Sequence, residues 1–317
     1  MHELSTIGAI EPPHLSPAAQ RRGMTAKRLT SIVRFLGGVA SRAQLRDYGY
    51  TGYQLTRAVR AGILIRIRRS RYALVDTDHP TRTAIALGGR LGGLSAAREY
   101  GWWTGTDSRI HVSWPAHGNV AKPGRVFFGE RSSIVHHWRV LRADVPVHAQ
   151  NLRLEPPLEA LAQVLLSSDR ETAVACADSA IRSGLVTEFA VRELLRRMPA
   201  RIAAWECYID GRSDSGIESI VRIWLIDRGI PFVFHAWVDG HVVDFLIGES
   251  LILQTDGSAF HDSPGDALRD ALQDYSSGIR GYLTMRARYR FVMFEPARWQ
   301  ALLIEHLARN DHRRFVT

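Results

Sequence analysis

"HVVDFLIG" (residues 241–248) and "LILQTDGSAFH" (residues 251–261) decide how the C-terminal third of this chain folds. Each begins as an apolar run of the length of one buried strand, and a short Gly248-Glu249-Ser250 turn joins them. An acid interrupts the first run at Asp244, and another, Asp256, comes where the second run ends. Because a carboxylate withdrawn from water is costly unless a partner compensates its charge, both acids need an explanation.

The hairpin brings the two acids near each other. A short connection pairs Asp244 with Leu253, Gln254 or Thr255, and directly opposed side chains have Cβ atoms about 5 Å apart. Asp256 then lies close by, at the end of the neighbouring strand. A divalent cation is one compensation for these charges, and an arginine or a set of backbone amides is another. Two carboxylates at a strand end suit Mg²⁺ or Mn²⁺, which bind oxygen ligands and keep water for chemistry.

The flanking pattern predicts the rest of this region. Asp214 or Ser215 caps a helix through "GIESIVRIWLIDRG" (216–229), which carries Glu218 in its first turn. The strand "FVFHAWV" (232–238) and an Asp239-Gly240 turn precede the two runs above. A helix from about 264 to 275, a strand "RYRFVMF" (288–294) and a last helix "PARWQALLIEHLAR" (296–309) follow. The order α-β-β-β-α-β is that of a restriction-endonuclease core.

Residues 213–310 resemble the Vsr-like branch of the PD-(D/E)XK nucleases through Glu218, Asp244 and "TDGSAFH" (255–261). The resemblance implies that Glu218, Asp244, Asp256 and His261 are catalytic, and that Asp244, the Thr255 carbonyl and Asp256 bind Mg²⁺ or Mn²⁺. His261 would be the general acid or base beside the scissile phosphate.

Two departures from that family leave an alternative open. Gln254 stands where many relatives have glutamate, and Asp256 stands where a lysine is usual in the wider superfamily. A neutral amide is a weaker metal ligand than a carboxylate. The domain is therefore either a working DNA endonuclease, serving phage defence or DNA repair, or a nuclease-like fold that is inactive and kept for binding.

The N-terminal region is strongly basic. The chain has a net charge of +9, and 13 Lys or Arg lie between Arg21 and Arg71 against one acid, Asp47. This imbalance predicts a polyanion partner, with a solvated basic face as the alternative. The chain offers no membrane-type amphipathic helix, so double-stranded DNA is favoured over lipid, and RNA stays a third possibility.

Three short helices and a hairpin make up this basic region. Helical spacing over 29–36 is followed by "SRAQLRDYGY" (41–50) and "TGYQLTRAVRAG" (51–62), which begin at the capping residues Ser41 and Thr51. In "ILIRIRRSRYAL" (63–74), isoleucines alternate with arginines, as in a two-stranded hairpin. The pattern predicts a winged helix-turn-helix over 24–78. The predicted DNA-binding residues are on the third helix and the wing: Gln54, Arg57, Arg60, Arg66, Arg68, Arg69 and Arg71.

The stretch "GGVASRAQLRDYGYTGYQLTRAVRAGILIRIRRSRYAL" (37–74) resembles the N-terminal domain of AbiEi-type antitoxins from type IV toxin–antitoxin systems. The resemblance covers about residues 29–75 and implies a transcriptional repressor that binds its own promoter. It also implies a toxin-like protein partner. A homodimer is the other protein partner that we expect.

The complete prediction is a multidomain chain of α+β and α/β class. It has a flexible tail (1–23), the winged domain (24–78), a mixed α/β connector (79–210) and the endonuclease domain (211–317).

Cys176 and Cys207 are too few for a disulfide framework, so we expect two buried thiols. Five histidines of the connector do not share metal-ligand spacing and are expected to be structural: His111, His117, His136, His137 and His148. Without an apolar span or a signal sequence, the protein is expected to be cytoplasmic, with no membrane contact.

Overall fold

A computed structural model describes residues 26–116, 133–141, 151–256 and 264–313, the last range without side chains up to residue 271. The predicted tail and His261 lie outside these residues. The chain divides into two compact units. The N-terminal unit contains the described residues up to Leu91 together with 151–155, and the C-terminal unit contains nearly all the others. The predicted borders after residues 23, 78 and 210 stay a prediction.

The described residues of the N-terminal unit form four helices and short strands. Its elements are α1 (Ala26–Phe35), β1 (Val39–Ser41), α2 (Arg42–Asp47), α3 (Gly52–Arg60), β2 (Leu64–Arg68), β3 (Arg71–Leu74), α4 (His79–Leu87) and β4 (Arg90–Leu91). Ser41 and Thr51 cap α2 and α3 through capping boxes with Gln44 and Gln54, so the predicted helix starts are correct. Strands β1, β3 and β2 pair antiparallel in that order.

Both faces of this sheet are covered. Leu64 packs with the core of α1, α2 and α3, whereas Ile67 packs with Ile85 of α4 on the other face. The isoleucine–arginine alternation therefore describes only part of the hairpin: Arg66 is exposed, but its neighbours on both sides are partly or fully buried. A register shift lies between Arg66 and Arg68, next to the predicted turn.

The first part of the C-terminal unit is mainly helical. It contains α5 (Gly93–Glu99), β5 (Ile110–Trp114), β6 (Ile134–Trp138), α6 (Pro157–Ser167), α7 (Arg170–Arg182), α8 (Glu188–Arg196), α9 (Ala200–Ala203) and a 3₁₀ turn (Ala204–Tyr208). Strands β5 and β6 are parallel. Cys176 is fully buried in α7, but Cys207 is exposed in the 3₁₀ turn, so the expectation of two buried thiols is wrong for Cys207.

The second part contains the α-β-β-β-α-β order that the sequence predicts. Its elements are α10 (Gly216–Asp227), β7 (Phe232–Val238), β8 (His241–Ile247), β9 (Leu251–Asp256), α11 (Pro264–Ile279), β10 (Leu283–Arg288), α12 (Tyr289–Phe294), α13 (Pro296–Ala308) and a 3₁₀ turn (Asp311–Arg313). The sheet order is β10-β9-β8-β7, with β10 parallel to β9 and the other pairs antiparallel. Helix α10 packs on the sheet, where Ile217 and Val221 meet Phe245.

The last strand lies earlier in the sequence than predicted. Residues Leu283–Arg288 pair with β9, and "YRFVMF" (289–294) is a helix instead of the predicted strand. Its aromatic and β-branched residues favour a strand locally, but Val292 is buried and joins the core that also contains Trp299 and Leu303 of α13.

Among the described residues, the structure shows no helix with the length and apolarity that a membrane crossing needs.

Candidate functional site

The start of α10 fixes the carboxyl group of Glu218. The Ser215 hydroxyl accepts the amide of Glu218 at 3.2 Å and caps the helix. Glu218 Oε2 in turn accepts the amide of Asp214 at 2.8 Å, which holds the carboxylate against the helix N-terminus. Glu218 is only 3% exposed, so its charge is withdrawn from most of the surrounding water.

His235 reaches this carboxyl group from β7. Its φ of 53° lies in the left-handed region, which is uncommon for a residue with a side chain. The register pairs Phe234 with Phe245 and Ala236 with Val243, so His235 lies opposite Asp244 on β8. His235 Nε2 is 3.2 Å from Glu218 Oε2. With this unusual backbone conformation, His235 lies near both Glu218 of α10 and Asp244 of β8.

Asp244 is anchored to β9. Its Oδ2 accepts the Thr255 amide and the Thr255 hydroxyl, both at 2.6 Å. The Asp244 amide donates to the side-chain oxygen of Gln254 at 3.1 Å. Gln254 and Thr255 therefore orient Asp244, as the predicted pairing of the strands requires.

The electrostatics of the site oppose ionisation. Burial, together with the nearby Asp244, raises the pKa of Glu218 to about 7, although the hydrogen bond from His235 acts in the other direction. Burial also raises the pKa of Asp244, against the hydrogen bonds from Thr255, and the charge of Asp256 adds to the increase. Two carboxyl groups with raised pKa values beside a histidine form the kind of site at which function is concentrated.

Three side chains lie close enough to share a cation. One ligand atom from each of Asp214, Glu218 and His235 falls within 4.8 Å of the others. Opposite ligands of Mg²⁺ are about 4.2 Å apart, since each bond is about 2.1 Å long. Carboxylate oxygens suit Mg²⁺ and Mn²⁺, and the imidazole favours the transition metal. Asp214 also forms an ion pair with Arg182 of α7.

Asp256 has a partner that the sequence did not predict. Arg286 of β10 donates to its Oδ1 at 2.9 Å and also binds Asp274 of α11, while Arg288 lies 3.7 Å from its Oδ2. An arginine, which was the alternative compensation, therefore pairs with Asp256. Asp256 and the Thr255 carbonyl as metal ligands, and His261 as acid or base, stay predictions.

Sequence reasoning missed His235 and Asp214 as members of the site. Asp214 was considered only as a helix cap, and the structure gives the cap to Ser215. The signal for His235 was the polar residue in the middle of "FVFHAWV", which lies the same distance from the Asp239-Gly240 turn as Asp244 does on the other strand.

The predicted DNA-binding residues lie on two neighbouring elements of the N-terminal unit. Arg57 and Arg60 are exposed on α3, but Gln54 uses its side-chain oxygen to cap the Thr51 amide at 2.7 Å. On the hairpin, Arg66 and Arg69 are exposed and Arg68 and Arg71 are half-buried. Burial and the proximity of Arg68 lower the pKa of Arg71. Within the described part of the chain, none of these arginines forms an ion pair with an acid.

Two of the five histidines form a buried pair in the C-terminal unit. His111 Nδ1 and His137 Nε2 are 2.9 Å apart, and burial lowers their pKa values to about 4 and about 3. Neutral, hydrogen-bonded rings agree with the structural role that we expected. His136 stacks on Trp114, and His117 and His148 lie outside the described residues.

Comparisons with known proteins identify a domain within the N-terminal unit. A family model described as "Transcriptional regulator, AbiEi antitoxin" matches residues 27–75, so the chain carries an AbiEi antitoxin-type domain there, as predicted. Two uncharacterized proteins from two strains of Mycobacterium tuberculosis are each 27% identical over 278 residues, 82% of this chain and 98% of the relative. Among solved structures, the catalytic domain of the homing endonuclease I-Bth0305I is similar at 17% identity, over 29% of this chain and 94% of its own, with a TM-score of 0.26. That TM-score is too low to show a shared fold.

Proposed function

We propose that this chain is a DNA-binding, divalent-metal-dependent endonuclease whose site is formed by Asp214, Glu218, His235 and Asp244. One observation carries the proposal: ligand atoms of Asp214, Glu218 and His235 lie within 4.8 Å of one another, and Asp244 lies close enough to raise the pKa of Glu218. Glu218 is buried and Asp244 is half-buried, and neither has an arginine partner among the described residues. A cation would supply the positive charge that they need when ionised.

Each residue of the site has a distinct part. Asp214, Glu218 and His235 would hold Mg²⁺ or Mn²⁺, which when bound activates water for attack on a phosphodiester. Thr255 donates two hydrogen bonds to Oδ2 of Asp244, which would leave its Oδ1 as the oxygen for a cation. Gln254 fixes the backbone of Asp244 and does not need to be a ligand itself. Asp256 and His261 join the site in this proposal only if Arg286 releases Asp256 and the segment after β9 brings His261 to the phosphate.

The N-terminal unit would deliver the enzyme to duplex DNA. Helices α1, α2 and α3 and the antiparallel β2–β3 hairpin follow the order of a winged helix-turn-helix, in which the third helix enters the major groove and the wing lies on phosphates. Arg57 and Arg60 on α3 are placed for the groove, and Arg66 and Arg69 for the backbone.

Cleavage of supercoiled plasmid with Mg²⁺ or Mn²⁺ tests the enzymatic part. We expect wild type to cut, and Asp244→Ala and Glu218→Gln to lose nearly all cutting, because each removes an oxygen or charge that would hold the metal. Glu249→Gln is a matched control, since Glu249 is exposed in the β8–β9 turn. Equal cutting by wild type and Asp244→Ala would reject the site.

A second function is favoured by two observations. The family of the AbiEi antitoxin-type domain is described as a transcriptional regulator, and Arg286 forms an ion pair with Asp256. The alternative is therefore a repressor of its own promoter, with a toxin-like partner or a second copy of the chain and an inactive C-terminal domain. Footprinting on the upstream DNA that survives Asp244→Ala, together with no metal-dependent cutting by wild type, selects this function.

A further inference from the structure

A cavity of about 610 Å³ lies in the N-terminal unit, where α2, the start of α3 and the turn of the β2–β3 hairpin meet. We call it the Arg42 cavity; its lining includes Ser41, Arg42, Arg46, Gly52, Ser70 and Arg71. All of these residues belong to the same unit. Ligand pockets have volumes of about 300–1,000 Å³, so the cavity has room for a small ligand or for one group of a larger one.

Three arginines line the cavity, and none of its described lining residues is acidic. Arg42 and Arg46 are exposed and lie one helical turn apart on α2, so both guanidinium groups can be reached from the solvent. Within the ranges that the structure describes, no Asp or Glu forms an ion pair with Arg42, Arg46 or Arg71. Their N–H donors can therefore bind an anion that comes from outside the chain.

Two local contacts hold these cations together. The Ser70 carbonyl accepts the amide of Arg42 at 3.1 Å and Nη1 of Arg71 at 3.2 Å, which ties the hairpin turn to the start of α2. The Arg42 guanidinium lies over Gly52 in the first turn of α3, since a Cβ at residue 52 would be 2.6 Å from Arg42 Nη2. Arg42 is thus a cation at the positive end of a helix dipole and near other cations, and a bound anion would remove this repulsion.

We propose that the Arg42 cavity binds a phosphate group, which Arg42, Arg46 and Arg71 hold. Guanidinium groups match phosphate oxygens with paired N–H donors. The phosphate has two sources: the backbone of duplex DNA, in which case the inference rests on the proposed DNA-binding function, or a free phosphorylated ligand. The position favours DNA, because the cavity lies between α3 and the hairpin, the two elements proposed to contact it. Arg42 and Arg46 then extend the proposed DNA interface to α2.

Titration calorimetry of the full-length protein with inorganic pyrophosphate tests the cavity. We expect Arg42→Gln and Arg46→Gln each to raise the dissociation constant by about tenfold, because a hydrogen bond between charged groups is lost. Lys27→Gln is a matched control, since Lys27 is an exposed cation of the same unit that lies outside the cavity. Urea unfolding should show no loss of stability in either arginine variant, because neither arginine has an ion pair with an acid of the described chain to lose.

Gly52→Ala separates the position of Arg42 from its charge. The variant keeps every charge, but its methyl group would displace the Arg42 guanidinium. Gly52 has no positive φ, and alanine favours a helix more than glycine does, so the fold should be kept. Binding of pyrophosphate should weaken several-fold although the net charge is unchanged.

Fluorescence anisotropy with duplex DNA distinguishes the two sources of phosphate. If the phosphate is that of DNA, each arginine variant reduces the slope of log affinity against log salt by about 1, and pyrophosphate competes with the duplex. If the slope is unchanged and only pyrophosphate binding weakens, the site takes a free ligand. The proposal is overturned if neither pyrophosphate binding nor the slope changes in these variants, or if Lys27→Gln has an equal effect. Pyrophosphate binding that depends on these arginines, in a protein that does not bind duplex DNA, supports the cavity and rejects only the proposed DNA binding.

Discussion

Replacing Glu218 by glutamine should make the protein more stable above neutral pH. In the folded state burial raises the pKa of this carboxyl from its usual value of 4.5 to about 7. The unfolded chain therefore releases the proton at a lower pH than the folded chain does, so stability falls as the pH rises from 4.5 to 7 and stays low above it. At about 1.4 kcal/mol per pH unit, the loss reaches about 3 kcal/mol at pH 8.

Urea unfolding followed by circular dichroism, at pH 4.5 and pH 8, measures this loss. Glu218→Gln should be more stable relative to wild type at pH 8 than at pH 4.5, by up to about 3 kcal/mol. Comparing the two pH values removes the cost of the amide itself, since that cost is present at both. Glu249→Gln should show no such trend, because Glu249 is exposed.

Mn²⁺ supplies the second half of the experiment. A cation that binds the folded site stabilises it by about 2.7 kcal/mol at 100 times its dissociation constant, so Mn²⁺ at pH 8 should restore most of the stability that wild type has lost. Glu218→Gln should gain clearly less. An equal stability difference at both pH values, or equal stabilisation of both proteins by Mn²⁺, refutes the reasoning.

Three further changes test other parts of the structure. Gly93→Ala should lower the melting temperature far more than Gly101→Ala: both have positive φ, but a Cβ at residue 93 would meet the buried histidine rings at 2.6 and 2.8 Å, whereas residue 101 faces open space. Arg222→Met should cost about 3–5 kcal/mol at pH 8, because it leaves fully buried Asp178 without its ion pair, and less at pH 5, where Asp178, whose pKa is about 6, binds a proton. Arg66→Gln should reduce the slope of log affinity for duplex DNA against log salt by about 1, as measured by fluorescence anisotropy, and an unchanged slope would remove this arginine from the interface.

Local signals in the sequence are enough for most of the fold. The capping residues Ser41, Thr51 and Ser215 begin the helices that the pattern predicts. The Asp239-Gly240 turn has positive φ at both residues, as a tight hairpin turn requires, and it sets the register of β7 and β8. The neighbourhood of Asp244, Gln254 and Thr255 follows from that register and the next turn.

The features that the sequence did not predict depend on contacts between residues that lie far apart in the chain. Leu283–Arg288 becomes a strand because β9 offers it a parallel edge, a fact that no local pattern contains. The pairing of this strand with β9 brings Arg286 to Asp256, so the charge partner of Asp256 lies 30 positions away in the sequence. His235 joins the site from β7 with a left-handed backbone conformation, which is uncommon for residues other than glycine.

Glu218 differs in its partners from other acids of the same unit. Asp178 is completely buried, yet Arg222 at 2.6 Å, Ser219 and the amide of Asp210 satisfy it. Asp256 likewise has Arg286. Glu159 accepts the amides of Val140 and Leu141, and Asp311 pairs with His306, so the chain gives each of these acids its own donor. At Glu218 and Asp244 it places two acids and a histidine instead, an arrangement that lowers the stability of the folded protein unless a cation binds.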